Sequence, residues 1–196
     1  RNYFKHVQLK TAIATRSYVQ YNGVKDFMRC YCFREIENGG YFWIFPVDET
    51  TANCGVILFT DGWKNHFKSL NEVHYHYTKQ MASIISHPEI MDSWQTPFLL
   101  SEQSLVNQRM LLVGDAAGLV NPMFGHGIDA AIVSAKAAID HNEEELRLKN
   151  GKLDAYSKEI YHLFASKYVV HEKFRDEEMK VDERFAERLQ NYFLTK

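Results

Sequence analysis

The sequence predicts a chain of mixed α+β and α/β class: an antiparallel sheet with a covering helix, a strand–loop–helix unit, and a helical tail. Three observations carry this. Residues 11–60 are aromatic and β-branched runs punctuated by Gly and Asn, the pattern of an antiparallel meander. Residues 111–139 pass from a compact apolar run through a glycine-punctuated loop into an Ala-rich helical pattern. From Lys152 onward, apolar residues recur among charges of both signs, as in amphipathic helices.

In chain order, TAIATRSYVQY (11–21) is the first strand, closed by Asn22-Gly23. FMRCYCFREI (27–36) follows, broken by Asn38-Gly39-Gly40, then YFWIFPV (41–47), then TANCGVILF (51–59) ending at Asp61-Gly62. Between Trp63 and Ser86 the period changes: Phe67, Leu70, Tyr77, Met81 and Ile84 recur at helical spacing, with Asp61 available as the cap and His87-Pro88 as the stop. Residues 95–100 are extended, and Arg109 to Val113 is a compact apolar strand. Ile128 to about Leu148 is a helix stopped by Asn150-Gly151. The expected boundaries are 1–100 for the sheet and its helix, 101–150 for the strand–loop–helix unit, and 151–196 for the helical segment.

Composition narrows the function classes. The 196 residues, 45% hydrophobic and 24% charged, suit a globular chain with a core. A net charge of -2 gives no bulk attraction to nucleic acid or anionic lipid. No run of about eighteen apolar residues and no charged-then-apolar leader occurs, so no membrane span or signal peptide is expected, while peripheral membrane contact stays open. Cys30, Cys32 and Cys54 cannot all pair and do not complete a zinc site; they read as buried thiols in a reducing, cytoplasmic setting.

The chemistry concentrates in LLVGDAAGLVNPMFGHGIDAAIVSAKAAI (111–139). A strand delivers Asp115 to its C-terminal end, where α/β sheets bind ligands. Ala116, Ala117 and Gly118 are small enough for a flat ligand to approach the backbone. Pro122 stiffens the loop, and Gly125 and Gly127 flank a helix start, whose free N–H groups and positive dipole end hold a phosphate or other negative charge. By these rules alone flavin is not distinguished from phosphate, and a lone GDAAG favours the commoner glycine-rich strand–helix turn with an acidic cap.

The string resembles the second FAD motif of flavoproteins related to para-hydroxybenzoate hydroxylase, and most closely the geranylgeranyl reductase branch. Gly114-Asp115-Ala116-Ala117-Gly118, Pro122 and Gly125-His126-Gly127-Ile128 match it at each expected position. The resemblance implies that Asp115 hydrogen-bonds the ribityl chain of FAD and that the backbone of Gly127 and Ile128 faces the N1 and C2-carbonyl edge of the flavin. A second likeness is Tyr-x-Trp-x-Phe-Pro followed by Gly-x-Gly, in the sheet that walls the substrate cavity of that branch. Tyr41, Trp43, Phe45, Pro46 and Gly55 fit, while Ile57 stands where the second Gly is expected. Tyr41, Trp43 and Phe45 share one strand face, an aromatic stripe that suits either a long apolar substrate or a packed core.

The resemblance covers roughly residues 10–150 and implies the C-terminal half of an FAD-dependent oxidoreductase. It would have an antiparallel substrate-domain sheet, the C-terminal part of the FAD-binding domain, and C-terminal helices. The family's first Gly-x-Gly-x-x-Gly motif does not occur in the sequence, so diphosphate contacts would come from an N-terminal half, and this chain alone should bind FAD weakly and be inactive. In the family, electrons from NAD(P)H or another reduced carrier reach an apolar substrate, typically a prenyl double bond.

Three rivals stand beside this reading. A halogenase is disfavoured because its Trp-x-Trp-x-Ile-Pro is not met; an aromatic monooxygenase and a catalytically silent binding module remain open. No catalytic residue is assigned. His126 is the candidate, with a solvent-facing turn residue as the equal alternative. His74 and His76, two apart on a helix, face opposite ways and read as a solvated face rather than a metal pair. Arg16 and Tyr18 echo an Arg-x-Tyr of the family, and the stretch from Arg175 to Arg188 reads as a solvated face or a surface that packs on the other half.

Overall fold

A computed structural model describes residues 4, 7, 9–32, 40–59, 61–88, 92–107, 110–148, 154–178 and 184. The expected turn at Asn38-Gly39, the stop at Asn150-Gly151 and nearly all of the tail beyond Glu178 lie outside the described residues. The chain divides into two compact units, Ala12–Gln95 with Glu177–Lys196, and Arg1–Thr11 with Thr96–Asp176.

The sheet unit is built on β1 (Lys10–Gln20), β2 (Arg29–Cys32), β3 (Gly40–Pro46), β4 (Thr51–Leu58) and β5 (Asp92–Phe98), in the order β2-β3-β4-β1-β5. This corrects the simple meander: β1 pairs antiparallel with β4 rather than with β2. The physical reason lies in the connections. Residues 21–28 are too many for a two-residue hairpin, so Asn22-Gly23 bends the chain without pairing β1 to β2. Between β3 and β4 the turn is tight, because the Asp48 carboxylate accepts from the Thr50 and Thr51 backbone N–H groups, both at 2.8 Å.

Helix α1 (Leu70–Gln80) covers one face of this sheet. Phe42, Ile44, Val56, Leu58, Val73 and Tyr77 form the core, each large side chain contributing about 1.5–3 kcal/mol by burial. The helix is shorter than the expected 63–86. A 3-10 turn (Asp61–Asn65) precedes it, and the cap is Ser69, not Asp61. Ser69 Oγ accepts from the Glu72 N–H, and the Glu72 carboxylate accepts from the Lys68 N–H at 2.6 Å, a reciprocal box readable as Ser-x-x-Glu. Phe67, Met81 and Ile84 still pack against the core from turns.

His74 also departs from expectation. It is fully buried rather than solvated, while His76 is exposed. Its two ring nitrogens meet Thr15 Oγ1 at 2.9 Å and Ser17 Oγ at 3.2 Å, on the inward face of β1. Burial first, and then the nearby His87, depress its pKa to about 4, so it is neutral at ordinary pH. The cysteines divide as well. Cys54 is buried, its thiol pushed up to about 12 by burial, but Cys30 and Cys32 are exposed because β2 is the sheet edge.

The second unit holds a two-residue hairpin, β6 (Val106–Asn107) antiparallel to β7 (Met110–Leu111). The compact strand expected at 109–113 is therefore shorter, with Arg109 outside the described residues. A glycine loop follows, then α2 (Ile128–Leu148), α3 (Asp154–Ile160), a π-helical turn (Tyr161–Ala165) and α4 (Ser166–Glu178). Leu105, Leu119, Ala130, Tyr156, Ile160 and Ala165 are its buried core. Among the described residues no helix is long and apolar enough to cross a membrane.

Candidate functional site

The loop from Gly114 to Ile128 is built around backbone conformations that its sequence supplies. A 3-10 turn (Gly114–Ala117) ends at Gly118 with φ 74°, in the left-handed region where a Cβ is strained, and Gly125 repeats this at φ 72°. Asn121 folds the segment between them: its Oδ1 accepts from Met123 N at 2.8 Å, its N–H donates to His126 O, and its C=O accepts from Gly125 N. Spacing did not single Asn121 out, although an Asn directly before Pro is a turn signal.

The loop carries its polar edge outward. Asp115, Ala116 and Ile128 are exposed, while Ala117, Leu119, Val120 and Met123 are buried. A Cβ on Gly127 would stand 3.3 Å from Asp115 Oδ1 and 3.4 Å from a Val120 methyl. The missing side chain thus leaves a notch between the carboxylate and the start of α2. The first N–H groups of α2 have no partner within the helix, so the notch pairs an acceptor with donors, flanked by small residues. Such a cradle fits a flat ligand that offers a hydroxyl to Asp115 and an electron-rich edge to the helix end. His126 is exposed, stacks on Phe124, and reaches Asp129 Oδ1 at 3.3 Å.

Three side chains from the helical tail grip the backbone carbonyls of this loop and of the strand leading into it. Tyr156 Oη donates to Leu112 O at 2.6 Å, Tyr168 Oη to Leu119 O at 2.9 Å, and Arg175 Nη1 to Pro122 O at 2.6 Å. Burial pushes both phenols up, so they remain donors. Arg175 is 5% exposed and also pairs with Asp176 at 2.7 Å. It is not part of a solvated face; its guanidinium holds the loop at the proline, whose carbonyl lies inside the unit.

The aromatic stripe lies on the sheet face opposite α1. Tyr41, Trp43 and Phe45 run ring to ring at 6.2 and 6.1 Å, while the alternate residues Phe42 and Ile44 enter the core. Trp43 is 8% exposed and donates to Asn53 Oδ1 at 2.7 Å. Gly55 makes room for it, since a Cβ there would come within 2.3 Å of the indole and 2.1 Å of Thr15 O. Ile57, opposite Tyr41 in the register, is buried. Cys30 pairs with Trp43 across the strands, and its thiol pKa is raised by desolvation and by Cys32, so it is not an activated nucleophile. Among the described residues no group of three metal-ligating side chains occurs.

The chain shares its fold with solved flavin-dependent enzymes. The chain superposes on the flavin-dependent halogenase CmlS with a TM-score of 0.56 at 16% identity, covering 97% of this chain and 38% of that one. It superposes on a geranylgeranyl bacteriochlorophyll reductase-like protein from Thermoplasma acidophilum with a TM-score of 0.66 at 22% identity, covering 85% and 43%. No protein-family model matches the chain. In sequence, it is similar to digeranylgeranylglycerophospholipid reductase 3 of Methanosphaera stadtmanae, 31% identical over 135 residues, covering 63% of this chain and 33% of that protein. The chain thus spans about a third of the length of that curated relative.

Proposed function

We propose that the chain is the flavin-ring end of an FAD-dependent oxidoreductase acting on an apolar, isoprenoid-type substrate. The observation that carries it is the notch at Gly127 between the exposed Asp115 carboxylate and the start of α2. It lies within the string that resembles the second FAD motif of the reductase branch. Asp115 accepts a hydrogen bond from the ribityl chain, and the N–H groups of Gly127 and Ile128 stabilise negative charge at the N1–C2 carbonyl edge. Gly114, Ala116, Pro122 and Gly125 keep the loop narrow and shaped. FAD, when bound, supplies the hydride chemistry.

On this reading, residues 1–100 contribute the substrate wall through Tyr41, Trp43, Phe45 and Gly55. Residues 101–150 complete an FAD-binding domain whose diphosphate contacts belong to an N-terminal half. Residues 151–196 clamp the loop through Tyr156, Tyr168 and Arg175. His126 tunes or protonates the ring from its place in the turn. The electron donor is NAD(P)H or another reduced carrier, and the setting is cytoplasmic, where the exposed Cys30 and Cys32 stay reduced. The test is the colour of the whole protein. It should purify yellow and quench added FAD, and a colourless protein that leaves FAD fluorescence unchanged would sink the assignment.

A further inference from the structure

The stripe face of the sheet does not end in apolar residues. Arg16 stands opposite Gly55 in the β1–β4 register, and Gly55 stands opposite Trp43, so the guanidinium continues the Trp43 row across the bare glycine. Its Cζ lies 5.7 Å from the Tyr18 ring centre and 5.4 Å from that of Trp94, two rings that are 60% and 39% exposed. Cation–π contact with the two rings steadies the guanidinium and holds water away from part of it. Its Nε is sealed with no acceptor among the described residues. One hydrogen bond among those residues restrains the outer edge, from Nη2 to Asp92 Oδ2 at 3.3 Å, and that carboxylate is 67% exposed. So long and open a pair is weak and easily exchanged for a better anion.

We propose that Arg16 anchors the anionic head of an amphiphile, a phosphate or carboxylate, whose apolar chain lies along Trp43 and its stripe. Charge complementarity sets the head group: an aromatic wall that ends in a half-satisfied guanidinium favours a ligand with a chain at one end and a bidentate anion at the other. The inference rests on the stripe being a ligand wall, and it needs no flavin.

Binding of dodecyl phosphate, dodecanol and inorganic phosphate to the chain, read by calorimetry and Trp fluorescence below micellar concentrations, tests it. Dodecyl phosphate should bind, losing about tenfold in affinity in Arg16→Gln and recovering part of it in Arg16→Lys. Asp92→Asn, which frees the fork, should tighten it by about threefold. Dodecanol should bind weakly and equally to all variants, and inorganic phosphate should not compete at millimolar concentration.

Affinity for dodecyl phosphate unchanged within twofold in both Arg16→Gln and Asp92→Asn overturns the anchor. Inorganic phosphate binding as tightly as dodecyl phosphate overturns the amphiphile, leaving an anion site without a chain. No binding of either dodecyl ligand overturns the wall and the anchor together, and still leaves the FAD test standing on its own.

Discussion

The sheet unit and the loop unit are held together by different forces. Under α1 the sheet is closed by apolar contact, Phe42, Ile44, Val56 and Leu58 against Val73 and Tyr77, with the imidazole of His74 buried beside them. In the other unit, the segment that carries the candidate site is fixed by polar side chains that grip backbone carbonyls at Leu112, Leu119 and Pro122. On the proposed function, the difference follows from what each would do. A wall can be made from side chains that exclude water, whereas a loop that must present N–H groups and a carboxylate outward has to be tied from behind.

Arg175→Met gives the largest effect expected from this contrast. It leaves the Pro122 carbonyl and neighbouring carboxylates without their cation, and should cost about 3 kcal/mol in denaturant unfolding. Hydrogen exchange should quicken first at Asn121, Gly125 and Ala131, whose N–H groups donate to carbonyls of the loop. Exchange that quickens equally in β3 and β4 would erase the distinction between the units.

Acid should act on the sheet unit next. The folded pKa of His74 is depressed to about 4 from an ordinary 6.5, so the folded state prefers the neutral ring. Its contribution is complete above pH 6.5 and is lost as pH falls toward 4, amounting to about 2–3 kcal/mol. His74→Leu should flatten the stability profile in that window. A profile that keeps its slope would place the acid sensitivity elsewhere. The smallest effect is Tyr168→Phe, about 1–2 kcal/mol, since only the donor to Leu119 O is lost.

The same contrast explains what could be read from the sequence. The helical spacing of Phe67, Leu70, Tyr77, Met81 and Ile84 marks residues that do pack against the core, even though α1 spans only the middle of them. Apolar pattern survives an error in helix length, because burial depends on which side of the chain is apolar. The loop string from Gly114 to Ile128 was legible for another reason: the left-handed turns at Gly118 and Gly125 demand glycine.

What stayed hidden depends on partners distant in sequence. Arg175 lies 53 residues from Pro122, and nothing local separates it from a surface arginine. The burial of His74 was hidden by its helix, although Thr15 and Ser17, two hydroxyls on the inward face of β1, were a signal that something polar would meet them. The order that puts β1 beside β4 follows from connection lengths that a run of strand signals does not rank.

The central claim, that the Asp115 notch holds the flavin ring, is tested most directly by titrating FAD into the whole protein and its Asp115→Ala variant. A charge-assisted hydrogen bond to a ribityl hydroxyl is worth about 1.5–3 kcal/mol, so the account predicts a loss of roughly ten- to a hundredfold in FAD affinity. Both proteins must show the same thermal stability without FAD, as expected for an exposed carboxylate. Equal affinity for FAD in the two proteins would contradict the claim and return the loop to a structural turn.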